Sequence, residues 1–91
     1  MIEHHVGSWY RREDYDRIRE IMDDGPAMPA TFDEWEKIAN KTIAQAKTQG
    51  VVIKPVIIDP VGFVAFCEAK KIPRGSKERT EYVVSKDAGL I

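Results

Sequence analysis

The chain has 91 residues, of which 43% are hydrophobic and 32% are charged, and its formal net charge is −1. This length predicts a single small globular domain, residues 1–91, with one small core. No run approaches the ~20 apolar residues of a membrane span, the start lacks a signal-peptide pattern, and the single cysteine, Cys67, excludes an internal disulfide, so we expect a cytoplasmic protein.

The amino-terminal third predicts one short helix. Residues 1–10 carry no clear period and are expected to be extended or loosely ordered. A helix is predicted from about Arg12 to Asp24, because apolar residues recur there at helical spacing. The members of this stripe are Tyr15, Ile18, Ile21 and Met22. Gly25-Pro26 ends the helix, and the prolines make residues 25–30 a stiff connector.

The second helix is predicted from about Phe32 to Gln49. Thr31 and Glu34 match a capping box, in which the threonine accepts a bond from a free backbone N–H and the glutamate reaches back to the cap. Apolar residues then recur at steps of three and four along the segment. Gly50 is expected to end this helix in a left-handed conformation.

The strongest strand signal follows immediately. It consists of Val51, Val52, Ile53, Lys54, Pro55, Val56, Ile57 and Ile58. Because strand backbone groups need a hydrogen-bonding partner, we expect this strand either to pair antiparallel with its twofold copy in a homodimer or to pair with a short terminal segment. Pro55 lacks an N–H, which predicts an edge strand or a bulge.

Two further helices are predicted after the strand. Asp59-Pro60 is a good helix start, and this third helix should run to about Lys71. A fourth helix should run from Ser76 to about Lys86, although a short strand at Val83-Val84 is the alternative. The predicted fold class is α+β, with three or four helices packed around one main β-strand in the order helix-helix-strand-helix-helix.

Three stretches of the chain resemble a group of short bacterial proteins of unknown function. They are Tyr10-Arg11-Arg12-Glu13-Asp14-Tyr15, Met28-Pro29-Ala30-Thr31-Phe32-Asp33-Glu34-Trp35, and Ile58-Asp59-Pro60 followed by Phe63 and Phe66-Cys67. The resemblance would span most of the chain. It implies a bacterial source and a similar helix–helix–strand–helix order, and it implies no activity, cofactor or catalytic residue.

Charge is distributed unevenly along the chain. Residues 1–36 hold ten acidic and four basic residues, a net charge of −6, whereas residues 37–91 hold five acidic and ten basic residues, a net charge of +5. Attraction between the two halves is the simpler interpretation. A basic region made of Lys70, Lys71, Arg74, Lys77 and Arg79 is the alternative, because clustered cations bind phosphates.

Aromatic residues form a second candidate binding site. Trp9, Tyr10 and Trp35, with Phe32, are suited either to a partner interface or to closing a small core. Asp23, Asp24, Asp33 and Glu36 could meet across the connector and hold a hard cation, but each also has an ordinary helix-end or surface role.

The remaining reactive residues give no catalytic pattern. His4-His5 lacks a metal-ligand spacing and is expected to be a flexible terminal pair. Cys67 lies in an apolar helix and is expected to be a buried structural thiol. The sequence therefore predicts no catalytic residue, no cofactor and no metal.

Three functions follow as hypotheses. The leading one is a small intracellular interaction or regulatory module without catalysis, which would form a homodimer and could bind another protein. The second is nucleic-acid binding through the Lys70–Arg79 region. The third is an enzyme that uses a carboxylate cluster, with or without a metal.

Overall fold

Two parallel strands lie at the centre of the fold in the computed structural model, which describes residues 1–91. The strands are β1 (Glu3–Trp9) and β2 (Val51–Ile57), and the helices are α1 (Tyr15–Ile21), α2 (Phe32–Thr48), α3 (Pro60–Lys70) and α4 (Ser76–Asp87). Short 3₁₀ turns at Arg12–Asp14 and Gly25–Ala27 flank α1. The fold is α+β, but the prediction of one main strand is wrong because β1 and β2 form a two-stranded sheet.

The partner of β2 is therefore a segment of the same chain, not its twofold copy. Glu3 lies opposite Val51 and Trp9 lies opposite Ile57, in a parallel register. A parallel pair needs a long crossover connection, and the segment containing α1 and α2 supplies it. The alternative that β2 pairs with a short terminal segment is confirmed. The sequence pattern did not single out Glu3–Trp9 as a definite strand, because its residues are mostly polar and include Gly7.

The hydrogen bonds at the two ends of the sheet fix which residues face the partner strand. The Glu3 amide donates to the Gly50 carbonyl (2.8 Å), and the Ile58 amide donates to the Trp9 carbonyl (2.8 Å). In a parallel ladder alternate residues bond to the partner, so odd-numbered residues of β1 bond to even-numbered residues of β2. Pro55 consequently lies with its nitrogen on the outer edge of β2, where no ladder bond is lost.

The caps expected at Thr31 and Asp59 are present, but the expected return bond from the Glu34 side chain to the Thr31 amide is not. The Glu34 amide donates to Thr31 Oγ1 (3.2 Å) at the start of α2, and the Gly62 amide donates to Asp59 Oδ2 (2.8 Å) at the start of α3. Gly50 has φ of 79°, the left-handed conformation that glycine adopts without strain. These caps use residues three positions apart or fewer, which is why the sequence alone predicts them.

Helix boundaries differ from expectation at two places. The first predicted helix is divided, since residues 12–14 form a 3₁₀ turn and α1 ends at Ile21, after which Met22 is extended. Residues 76–87 are helical throughout, so the alternative of a short strand at Val83-Val84 is wrong. Val83 lies fully buried on the inner face of α4, where helix packing outweighs the β preference of valine.

The sheet lies between two helical layers. Ala39 and Ile43 of α2 lie next to Gly7, Trp9 and Ile53 on one face of the sheet. The carboxyl-terminal part of α4 lies over the other face, where Lys54 Nζ is 2.7 Å from Asp87 Oδ1. α1 packs against α3, and α3 packs against α4.

The core is confined to one end of the molecule. Twelve buried hydrophobic residues form one cluster, contributed by α1, α3, α4 and the carboxyl ends of the strands. They are Tyr10, Tyr15, Ile18, Ile21, Met22, Val56, Ile58, Phe63, Phe66, Cys67, Tyr82 and Val83. α2 contributes no fully buried residue, although Phe32 and Trp35 pack against the cluster. No helix is both long and apolar enough to cross a membrane.

Candidate functional site

The predicted basic region loses one member to the protein interior. The guanidinium of Arg79 donates two hydrogen bonds to Asp24, from Nη1 to Oδ1 (2.7 Å) and from Nη2 to Oδ2 (2.9 Å). Arg79 is 9% exposed, and its partner comes from the acidic half of the chain. Arg79 is therefore a structural residue that ties α4 to the segment after α1, in agreement with attraction between the two halves.

The charges of Arg79 and Asp24 also act on the nearby phenol of Tyr10. The hydrogen bonds from Arg79 hold the pKa of Asp24 below its ordinary value, despite the opposing effect of burial. Burial raises the pKa of the Tyr10 phenol to about 12, with the nearby Arg79 cation acting in the opposite direction. At neutral pH the site therefore holds one carboxylate, one guanidinium and one neutral phenol.

Four cations of the basic region stay at the surface. Lys70, Lys71 and Lys77 are exposed and Arg74 is half-buried, and none of the four forms an ion pair. The loop that carries Arg74 is fixed to the other half of the chain, since the Arg74 amide donates to Asp23 Oδ2 (2.8 Å) and the Asp23 amide donates to the Arg74 carbonyl (2.9 Å). The region is thus smaller than predicted but held in a defined place.

The largest concave surface lies between α3 and α4 and is called here the α3–α4 groove. Its volume is about 510 Å³. It is lined by Gly62, Ala65, Phe66, Ala69 and Lys70 of α3, by Tyr82 and Lys86 of α4, and by Ile91. The residues of α3 recur at steps of three and four, and they are mostly small, so the two helices leave an open channel between them. Its walls are apolar.

Two lysines provide the charge of the groove. Lys70 Nζ lies 4.8 Å from the centre of the Phe66 ring. Lys86 Nζ donates to the Ile57 carbonyl (2.8 Å) and lies 5.9 Å from the centre of the Tyr82 ring. Neither ammonium has a carboxylate partner in the structure. The groove therefore combines an apolar floor with two positive charges that no acidic group of the chain neutralises.

The floor of the groove is held rigidly. Tyr82 packs edge-on against Phe63 and Phe66, with ring centres 5.4 and 5.3 Å away. A Cβ on Gly62 would lie only 2.8 Å from the Tyr82 hydroxyl, so glycine is required for this close approach. Burial raises the pKa of Tyr82, so that the phenol is neutral in the groove at ordinary pH.

The aromatic residues predicted as a site do come together. The Trp9 and Trp35 rings have centres 4.7 Å apart, and Tyr10 lies 4.8 Å from Trp35. Phe32 joins them at 5.4 Å from Trp35. Tyr10 is buried in the core, Phe32 and Trp35 are half-buried against the core, and Trp9 is half-buried. This cluster closes the core between β1, α1 and α2.

The carboxylates considered for a metal-dependent site are dispersed. Asp23 accepts the Arg74 amide, Asp24 pairs with Arg79, and Asp33 pairs with Arg12 at 2.7 Å. Nowhere in the chain do three or more His, Cys, Asp or Glu side chains come close enough to hold a metal ion. Each of these aspartates thus has a structural partner of its own.

The histidines and the cysteine lie in separate parts of the fold. His4 and His5 belong to β1, opposite Val52 and Ile53, so they form part of the sheet instead of a flexible terminus. Cys67 is buried in the core, and burial raises the pKa of its thiol, which keeps the thiol protonated. This is the structural thiol that the sequence predicted.

Sequence reasoning missed the α3–α4 groove, although it named Lys70. The available signal was the small-residue pattern Gly62, Ala65 and Ala69 on one side of a helix otherwise rich in large apolar residues. Its meaning depends on which helix lies alongside, and that is decided only by the folded chain. Lys86 was likewise missed because it lies sixteen residues from Lys70.

No family model, no curated protein and no solved structure matches this chain. The resemblance to short bacterial proteins of unknown function therefore stays a prediction. The geometry of the chain itself carries the functional argument.

Proposed function

We propose that the protein is a small cytoplasmic interaction module without a catalytic step, whose binding site is the α3–α4 groove. The observation that carries this proposal is an apolar channel of about 510 Å³ between two helices, flanked by the unneutralised ammonium groups of Lys70 and Lys86. The chain has a single cysteine, Cys67, and so forms no internal disulfide, which fits a reducing compartment.

The proposed partner is an amphipathic segment of another protein that carries acidic residues beside its apolar anchors. Apolar side chains recurring along one face of such a segment would fill the channel, as in other helix-in-groove complexes. Acidic side chains at its border would pair with Lys70 and Lys86. This arrangement places charge complementarity at the rim, where it favours the correct orientation and the rate of encounter.

The test uses a synthetic amphipathic peptide with a leucine stripe bordered by glutamates, and a matched peptide with lysines in place of the glutamates. We expect the protein to bind the acidic peptide at least about tenfold more tightly, a difference of about 1.4 kcal/mol. Isothermal titration calorimetry measures both affinities. Equal affinity for the two peptides would show that Lys70 and Lys86 do not select an acidic partner.

Variants locate the binding site. Ala69→Trp fills the channel and should abolish binding, whereas Ala44→Trp places the same ring on an exposed position of α2 and should not. Lys70→Gln should weaken binding of the acidic peptide, while Lys41→Gln on α2 should leave it unchanged. If Ala69→Trp binds as the unmodified protein does, the groove is not the site.

Nucleic-acid binding is a second candidate, favoured by the four unpaired cations Lys70, Lys71, Arg74 and Lys77 near the start of α4. Its signature is binding to mixed DNA or RNA at low salt that weakens as salt is added. Replacing the four residues by alanine should abolish such binding. Failure to bind either nucleic acid at low salt would end this candidate.

A further inference from the structure

Lys70 and Lys86 lie at opposite ends of the α3–α4 groove. Lys70 is the last residue of α3, and its Nζ lies over the Phe66 ring. Lys86 Nζ donates to the carbonyl of Ile57, a residue that precedes the start of α3. One ammonium group is therefore on the carboxyl-terminal side of the groove, and the other lies beside the beginning of α3.

The side chains between the two ammonium groups limit their separation. The Phe66 ring centre is 4.8 Å from Lys70 Nζ, and the Tyr82 ring centre is 5.9 Å from Lys86 Nζ. Since the two ring centres are 5.3 Å apart, the two nitrogens are separated by at most about 16 Å, the rise of roughly eleven residues of helix. Phe66 itself lies roughly 9 Å along α3 from Pro60, its first residue. The two charges are thus about two helical turns apart.

The surface between the two charges is apolar. Ala65 and Ala69 are exposed along α3, and the buried rings of Phe66 and Tyr82 form the floor. Because the alanine side chains are small, large apolar side chains of a partner can enter this stretch. The groove therefore accommodates acidic groups at its two ends and apolar groups between them.

Asp59 is the carboxylate nearest the end of the groove that holds Lys86, and it has partners of its own. It accepts the Gly62 amide (2.8 Å), and its other oxygen lies 3.8 Å from Arg11 Nη1. It forms no ion pair with Lys86. The positive charge of Lys86 thus stays available to a partner.

We propose, resting on the function assigned to the groove above, that the partner helix carries two acidic residues seven positions apart, which bracket two apolar residues. Positions i, i+3, i+4 and i+7 share one face of a helix, and seven residues rise about 10.5 Å. With acidic residues at i and i+7, one carboxylate reaches Lys70 and the other reaches Lys86, while the apolar residues at i+3 and i+4 enter the channel. Two carboxylates a single turn apart, about 5–6 Å, reach only one of the two lysines.

The test compares two synthetic helical peptides of identical composition, each with the same leucine pair and two glutamates. In the first peptide the glutamates are seven positions apart and bracket the leucines. In the second, the later glutamate is exchanged with a glutamine four positions before the earlier one, so that the glutamates are one turn apart. We expect the unmodified protein to bind the first peptide about threefold more tightly in isothermal titration calorimetry, the contribution of one further exposed ion pair.

Variants show whether this preference comes from the two lysines. The ratio of the two affinities should fall to about one in Lys70→Gln and in Lys86→Gln, because a single lysine cannot form both pairs, whereas Lys41→Gln on α2 should keep the threefold ratio. The ratio also cancels any difference in helicity between the free peptides. Circular dichroism verifies the fold of Lys86→Gln, which loses the bond to the Ile57 carbonyl.

The outcomes separate this proposal from the function of the groove itself. Equal affinity of the unmodified protein for both peptides, or a threefold preference that persists in Lys70→Gln, would overturn the spacing and leave the groove as the binding site. Absence of binding to either peptide, or binding that Ala69→Trp does not reduce, would overturn the proposed function and the spacing with it.

Discussion

The two ends of this molecule are built differently. At one end α1, α3, α4 and the carboxyl ends of the strands enclose all twelve buried hydrophobic residues, and we call this end the packed region. At the other end α2 and the amino-terminal halves of the strands cover each other only partly, and we call it the outer region. The comparison indicates that stability is concentrated in the packed region.

The largest expected contrast comes from removing an apolar side chain in each region. Phe63→Ala in the packed region should lower the free energy of unfolding by about 3–5 kcal/mol, because Phe63 is fully buried and its loss leaves a cavity. Ile38→Ala in the outer region should cost no more than about 0.5 kcal/mol, since Ile38 is 57% exposed. Urea unfolding measures the free energy of unfolding of both variants. Equal losses would contradict the difference in stability between the packed and outer regions.

Ion pairs provide the next contrast. Arg79→Met should cost roughly 2–3 kcal/mol, because it leaves Asp24 without its two charge-assisted bonds while solvent screens a carboxylate that is about a third exposed. Arg12→Met breaks the exposed Arg12–Asp33 pair and should cost less than about 1 kcal/mol. Chemical unfolding at neutral pH compares the two variants. A larger loss for Arg12→Met would contradict the comparison.

Glycine substitutions sharpen the comparison further. Gly62→Ala would bring a Cβ to 2.8 Å from the buried Tyr82 hydroxyl and should cost about 1–2 kcal/mol. Gly7→Ala would bring a Cβ to 2.9 Å from Ile53 Cγ2, a side chain that can move in the outer region, so its cost should be smaller. Tyr82→Phe combined with Gly62→Ala should recover part of the lost stability. Thermal unfolding of the unmodified protein, the two glycine variants and the double variant measures these differences in stability.

The smallest predicted effect is a dependence on alkaline pH. Tyr10 has a folded pKa of about 12 against an ordinary value of 10.0, so its contribution to stability is complete below pH 10 and is lost as pH rises toward 12. At pH 11 the loss should be roughly 1 kcal/mol. Tyr10→Phe should show a shallower decline between pH 9 and 11, measured by urea unfolding. An identical decline in both proteins would contradict this assignment.

Much of the helical structure follows from the sequence because its determinants are local. Thr31 and Asp59 bond to amides three residues ahead, and Gly50 adopts positive φ where α2 must end. The prediction that Pro55 marks an edge strand is consistent with its position on the outer side of β2. These interactions form within one or two turns of chain, so their pattern is visible in the order of residues alone.

The candidate sites were only partly predictable. Lys70 was predicted as a member of a basic binding region, whereas its neighbours in the groove, such as Ala65 and Lys86, were not singled out. Arg79 was grouped with the surface cations because its partner Asp24 lies 55 residues earlier in the chain. The sequence does not distinguish a charged residue that faces water from one that pairs with a buried partner. The two environments differ only once distant segments of the chain have packed together.

The amino-acid sequence by itself determined where α2, α3 and α4 start and that residues 51–57 are extended. The tertiary structure alone decided which of the two expected partners β2 has, that Glu3–Trp9 pairs with it in a parallel register, and that α3 and α4 enclose a groove. The physical reason is the range of the interactions: caps and turns act over a few residues, whereas strand pairing and burial depend on segments brought together across the whole chain.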